Sequence, residues 1–318
     1  MSRIPEPDRT PGGPAYEGRL LDRPDEEVVD QGAPFDIRTL MTRRGLLGLA
    51  GLGVGAGVLA ACAPAASGGS APTASAGDGG SGTSTGEIPD ETAGPYPGDG
   101  SNGPDVLEQS GIVRKDIRSS IDGSAVAEGV PLTFDLQVLD MANGDAPFAG
   151  VAVYAWHCTA DGAYSMYSEG LEDVTFLRGV QVADADGRVS FTSIYPGCYS
   201  GRWPHIHFEV YPDLDSLSDA ANAIATSQMA MPESASAEVY ATAGYDGSAE
   251  NMARVTLASD NVFGDDSGVS QLPAMSGDAT SGYTASLVVR IDTTTAPSSG
   301  SAPGSGSGGA PGGRPQTG

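Results

Sequence analysis

The segment Tyr195-Pro-Gly-Cys-Tyr-Ser-Gly-Arg-Trp-Pro-His-Ile-His-Phe208 gathers two of the chain's three histidines, two tyrosines and an arginine within fourteen residues. If its second half runs as a β-strand, alternate side chains face opposite sides. His205 and His207 then aim two imidazoles at one spot while Ile206 enters the opposite layer. Two imidazoles so placed are half of a metal site. Carboxylates would complete a zinc or ferrous centre, but no Asp or Glu lies inside the segment at ligand-like spacing. Tyrosines do lie at hand: Tyr199 is six residues before His205, and Asp161-Gly-Ala-Tyr-Ser-Met-Tyr167 follows the stretch Trp156-His-Cys158. A phenol ordinarily ionises at about pH 10, so only a strongly Lewis-acidic ion keeps it deprotonated at neutral pH. Two phenolates with two imidazoles point to non-haem ferric iron, Fe(III).

The elements that must position these groups are short. Apolar runs fall at Val130–Leu139, where Leu132, Phe134, Leu136 and Val138 alternate, then at Val151–Cys158, Arg188–Ile194, His205–Tyr211, Arg254–Ala258 and Tyr283–Ile291. Turn formers such as Asn143-Gly144, Asp161-Gly162 and Asp186-Gly187 separate them. Short strands at this spacing predict an all-β fold, a β-sandwich of mixed topology, over residues 88–291. Ala220–Ala230 reads either as a helical insertion or as a loop leading into a strand. On the sandwich, Tyr154 and Tyr211 read as packing aromatics, and Tyr167 and Tyr195 are the alternative phenols in a shifted register. His157 shares a face with Val151, Val153 and Ala155, which predicts a hydrogen-bonded core residue and not a ligand. Met229 and Met231 read as core, since no thiolate partner is spaced for copper.

Outside that span the composition changes. The chain has 318 residues with 46 Gly and 23 Pro, many of them in segments too poor in large apolar side chains to build a core. Residues 1–40 and 292–318 are predicted to be disordered, and 63–87, rich in Ser, Gly, Ala and Thr, to be a flexible linker. Between them, residues 41–62 run from Met41-Thr-Arg-Arg-Gly-Leu-Leu47 through a Gly/Ala/Leu stretch to Leu59-Ala-Ala-Cys62. That order resembles a twin-arginine export signal ending in a lipoprotein cleavage site. It implies an exported protein, lipid-anchored through Cys62 in the cell envelope or secreted, with Met41 a candidate for the true start. A net charge of −25 and no visible basic patch argue against nucleic acid as a partner, and leave the membrane as a partner only through the anchor. Three cysteines without a CxxC pair argue against a thiolate zinc site.

The set Gly94-Pro-Tyr96, Trp156-His-Cys-Thr-Ala-Asp-Gly-Ala-Tyr-Ser165, Phe176-Leu-Arg-Gly179, Asp184-Ala-Asp-Gly187, Tyr195-Pro-Gly-Cys-Tyr199 and Arg202-Trp-Pro-His-Ile-His-Phe208, in that order, resembles the intradiol ring-cleavage dioxygenases, in particular their exported single-domain relatives. The resemblance implies that Tyr164, Tyr199, His205 and His207 are the Fe(III) ligands, and that Arg202 and Gln228 lie at the substrate. It implies a small aromatic diol and O2 as substrates. The catechol would bind as a dianion in place of Tyr199, and ring cleavage between the hydroxyl-bearing carbons would give a cis,cis-muconate-type product. Only five residues separate Tyr199 from His205, fewer than in the better-known members, which implies a site open to larger catechols. No long helical segment precedes the sandwich, so dimerisation through such a helix is not expected. Cys158 and Cys198 each lie close before a ligand tyrosine, and in an exported domain either a disulfide joining the two segments or two buried thiols is expected. Arg178 reads equally as a substrate contact or as one half of an ion pair. The rivals to a catechol dioxygenase are a non-catalytic cell-surface β-sandwich binding module and a hydrolase with zinc on His205 and His207.

Overall fold

The computed structural model describes residues 85–297 and three short strands nearer the N-terminus. Those three, β1 (Asp8–Thr10), β2 (Gly13–Tyr16) and β3 (Arg19–Leu20), pair as an antiparallel meander inside the stretch whose composition predicts no element. The signal-like segment 41–62 with Cys62, nearly all of the linker and most of the C-terminal tail lie outside the described residues.

Two sheets form a sandwich. The first is built from β6 (Ala152–Trp156), β7 (Arg178–Val182), β9 (His205–Tyr211) and β10 (Ala225–Ala230), in the order β10-β9-β6-β7 with every pair antiparallel. The second has β4 (Pro131–Asp140) at its centre, flanked by β12 (Gly282–Ile291) and β8 (Arg188–Ile194). The short β5 (Ala146–Pro147) pairs with the end of β4, and β11 (Ala274–Asp278) is an edge strand on β12. β4 runs antiparallel to β8 but parallel to β12, so the topology is mixed as well as all-β in its layers.

Burial explains the two sheets' different sequences. β4 and β12 alternate, with Leu132, Phe134, Leu136, Val138 and Tyr283, Ala285, Leu287, Val289 in the core and Thr133, Asp135, Thr284 and Ser286 turned outward. Phe134 and Phe191 are direct cross-strand partners with stacked rings 4.9 Å apart, which ties β4 to β8. β6 and β9, in contrast, are buried at every position. Val153, Ala155, Ile206, Phe208 and Val210 fill the space between the sheets. The opposite face, with Tyr154, Trp156, His205, His207 and Tyr211, is roofed by loops that carry Tyr96, Tyr164, Met166 and Tyr167. This roofed outer face holds the candidate site.

Three local features differ from the sequence expectation. Arg254–Ala258 is not a strand: it follows α2 (Ser248–Met252) and enters a 3-10 turn, Leu257–Ser259. Thr256 and Ser259 cap each other across that turn, and such local side-chain bonds compete with a sheet ladder. Ala220–Ala230 resolves into a 3-10 turn, Ala220–Asn222, leading into β10. β7, β11 and α1 (Glu233–Val239) had no clear apolar run; β7 begins with a buried arginine, and β11 is an exposed edge.

Candidate metal centre

His205 and His207 stand side by side on the roofed face of β9, with Nε2 atoms 3.1 Å apart. Nδ1 of His205 lies 2.6 Å from the Trp203 carbonyl, an acceptor only, so this nitrogen carries the proton and Nε2 presents a lone pair. The Tyr199 hydroxyl is 3.3 Å from that same Nε2. Tyr164 completes the group, its ring edge-on to Tyr199 and His207 at centroid distances of 5.9 and 6.5 Å. Its hydroxyl is buried, with no hydrogen-bond partner of good geometry among the described residues. The four side chains singled out by the sequence thus meet at one place, three of them buried and Tyr199 half-buried.

The scaffold that brings them together is specific. Trp156, the cross-strand partner of His207, stacks on its ring at 4.8 Å with planes 5° apart. Gly94, at φ +73°, passes the other ring atoms so closely that a Cβ there would sit 3.4 Å from His207 Cε1. Tyr96 packs on Tyr164 with centroids 4.8 Å apart. The segment bearing Tyr199 reaches the one bearing Tyr164 through Gly197, whose N–H donates to the Thr159 carbonyl. A Cβ at Gly197 would lie 2.8 Å from that oxygen, so only glycine permits the approach.

Among the described residues Arg178 forms no ion pair, contrary to one of the two sequence readings, and its hydrogen bonds go to none of the four donors. Fully buried, it donates to Ser165 Oγ, the carbonyls of Pro97, Tyr96 and Ser165, and Tyr154 Oη. Carbonyl and hydroxyl oxygens solvate the guanidinium, and the result locks the Gly94–Gly98 strap to the residue after Tyr164. Of the two alternatives for the cysteines, the structure has the buried thiols. Cys158 and Cys198 are free buried thiols, whose sulfurs face the carbonyls of Gly197 and Arg202 at 3.5 and 3.4 Å and sit in different apolar clusters. Burial pushes the Cys198 thiol up to about 12 and Cys158 higher still, so neither is a reactive thiolate. His157 bonds to the Cys158 carbonyl and Ser193 Oγ, both at 2.7 Å, as a core histidine. Met229 and Met231 are core residues.

Arg202 and Gln228 are joined: Nη2 donates to Gln228 Oε1 at 2.6 Å, while Gln228 Nε2 holds the Thr92 carbonyl at 2.9 Å. Arg202 also forms a buried ion pair with Asp260, Nε to Oδ2 at 3.0 Å. Asp260 was not legible beforehand; one aspartate among the chain's many carboxylates gives no signal until the fold sets it against Arg202. Burial opposes the guanidinium's charge, but Asp260, Tyr199 and Tyr164 more than offset it.

Burial also sets the protonation of the donors. It pulls His205 down to about 3, with Arg202 adding to the effect, and holds His207 well below the usual histidine range, where the nearness of His205 contributes. Both are neutral near pH 7 and able to ligate. Burial and the neighbouring Tyr199 phenol hold Tyr164 well above 10, so by itself it keeps its proton. Among the described residues no group of three or more His, Cys, Asp or Glu side chains could hold a metal ion. The nearest further protein donors for a metal on the two imidazoles are the phenols, and a buried phenol hydroxyl beside a bare His205 Nε2 suits a hard, strongly Lewis-acidic cation.

A family model described as Dioxygenase matches residues 101–212, which include all four donors except that it extends only to the end of β9 and leaves out Gln228 and Asp260. A chlorocatechol 1,2-dioxygenase of Rhodococcus opacus is 34% identical over 86 residues, 21% of this chain and 34% of that protein. The chain therefore matches about a third of that relative's length. An intradiol ring-cleavage dioxygenase from Tetranychus urticae superposes with a TM-score of 0.53 at 23% identity, covering 66% of this chain and 97% of the other. A second solved dioxygenase gives the same TM-score of 0.53 at 24% identity, with 66% and 96% coverage. Over residues 101–212 the chain thus matches the Dioxygenase family model, and its sandwich has the fold of solved intradiol ring-cleavage dioxygenases, with two histidines meeting two tyrosines on one sheet face.

Proposed function

We propose that the protein is an exported non-haem Fe(III) dioxygenase that cleaves catechol-type aromatics between the two hydroxyl-bearing carbons, using O2 and giving cis,cis-muconate-type products. The observation that carries this reading is the convergence of Tyr164, Tyr199, His205 and His207, with the Tyr164 hydroxyl buried and without a hydrogen-bond partner of good geometry among the described residues. Tyr164, Tyr199, His205 and His207 would hold ferric iron, which would supply the Lewis acidity needed to ionise a catechol. The protein's own part is division of labour. Tyr164, roofed by Tyr96 and locked through Ser165, is the permanent donor. Tyr199 is half-buried, the more exposed of the two phenols, so its oxygen is the one placed to exchange with substrate and accept a substrate proton. Arg202 sets a permanent positive charge beside both phenols, where negative charge grows on the substrate ring. Gln228 has both ends of its amide engaged, to Arg202 and Thr92, so it orients Arg202 and the strap. Trp156 and Gly94 flank the His207 ring and keep water from it.

Export rests on the order of paired arginines, apolar stretch and Ala-Ala-Cys62 in residues 41–62, and the envelope is the compartment it implies. The catalytic reading is tested with the iron-loaded protein. A broad visible tyrosinate-to-iron band, and a muconate-type product carrying both atoms of labelled O2, are expected. A colourless protein after ferric loading, or a product cleaved beside the diol and not within it, overturns the reading.

A further inference from the structure

Asp260 touches none of the four candidate ligands, yet it ties together the residues around them. Its side chain is fully buried, and both of its oxygens meet donors: Oδ2 accepts from Arg202 Nε at 3.0 Å and from the Trp203 N–H at 2.7 Å. Oδ1 accepts from the N–H groups of Val262 and Phe263 at 2.8 and 3.1 Å. One oxygen therefore folds its own turn while the other grips the segment between Tyr199 and the histidines. From there two chains of contact reach the site. Arg202, fixed at Nε by Asp260 and at Nη2 by Gln228, has its guanidinium plane determined by two bonds from opposite directions. Trp203, fixed at its N–H by Asp260 and at its indole N–H by the Met231 carbonyl 2.8 Å away, offers its own carbonyl to His205 Nδ1, the bond that selects the tautomer with Nε2 bare. With only five residues between Tyr199 and His205, this loop is too short to carry its own packing, and an outside anchor takes that place.

We propose that Asp260 is a positioning residue for the reaction, acting through Arg202 and the Trp203 carbonyl. This rests on the dioxygenase reading above and adds to it the origin of the loop's order. D260N separates the two oxygens' jobs. The asparagine carbonyl still accepts from Val262 and Phe263, so the local turn is retained, but its NH2 cannot accept from Arg202 or Trp203.

The test uses the full chain loaded with ferric iron, with a chromogenic nitrocatechol as the binding probe and catechol as substrate. Nitrocatechol affinity and kcat in D260N are expected to fall about 10–100-fold, the usual range for a residue that orients groups around a metal. The effect should be non-additive: on an R202Q background, D260N should lower kcat much less than it does in the parent. D260N with the parent's nitrocatechol affinity and kcat, or with losses that simply add to those of R202Q, overturns the proposal. If D260N does not accumulate, R202K tests the same bond from the other side. Lysine keeps the charge, but its single nitrogen cannot span Asp260 and Gln228 as Nε and Nη2 of the guanidinium do, and unchanged kinetics in R202K would likewise overturn it. A parent protein that neither binds nitrocatechol nor turns over catechol is the separate failure of the dioxygenase reading itself.

Discussion

Burial, reinforced by the charge of Asp265, pushes the Glu91 carboxyl from its ordinary 4.5 up to about 8. The unfolded chain releases that proton near 4.5 while the folded domain keeps it, so the stability this group contributes is full at low pH. It is lost as pH rises from 4.5 through about 8, at about 1.4 kcal/mol per pH unit. Glu91→Gln keeps the shape, removes the titration and offers an N–H to Gln271 Oε1, which is buried without a partner. The variant is expected to melt above the parent at pH 8, with the gap closing towards pH 4.5; melting curves across that range check it, and a variant less stable at pH 8 would contradict it. His157 has the opposite sign. Burial lowers it from 6.5 to about 4, so the folded state refuses a proton that the unfolded state accepts, and stability falls as pH drops below 6.5. The residue scale is also where the sequence was most informative, because a phenol and an imidazole have the same donor chemistry in any fold.

At the scale of elements, the site depends on β9 and on two loops brought against its outer face. β9, β4 and β12 were readable as strands because their apolar residues follow a period of two or run continuously. β7 was not, since its first residue is the buried Arg178, whose five bonds go to acceptors as far as 82 positions away. The crossing of the two tyrosine loops is the tightest point of the assembly. Gly197→Ala would place its Cβ 2.4 Å from the Ala160 carbonyl oxygen, a contact that only backbone movement relieves. We expect a loss of about 1–3 kcal/mol in urea unfolding, together with a lower iron content because Tyr199 lies two residues on. Parent-like stability and iron content in this variant would show that the loops part without cost.

For the whole molecule, the proposed site belongs to an acidic chain of net charge −25 whose leading segment carries the signs of export and lipidation. Cys62→Ser is expected to move the protein from the membrane pellet to the soluble fraction while its rate of catechol cleavage per bound iron stays the same. Retention in the pellet would remove the anchor from the account, and a changed rate per iron would mean that the segment also serves the site.

The sequence by itself determined the pairing of two histidines on alternate positions of one strand and the all-β sandwich, because each of these follows from local chemistry and periodicity. Only the tertiary structure decided what Arg178 holds, that Cys158 and Cys198 remain thiols, and that Asp260 faces Arg202 from 58 residues away. Those outcomes depend on which distant groups share a buried volume. A buried charge or sulfur takes whatever partner the packing brings to it, and no short stretch of sequence encodes that choice.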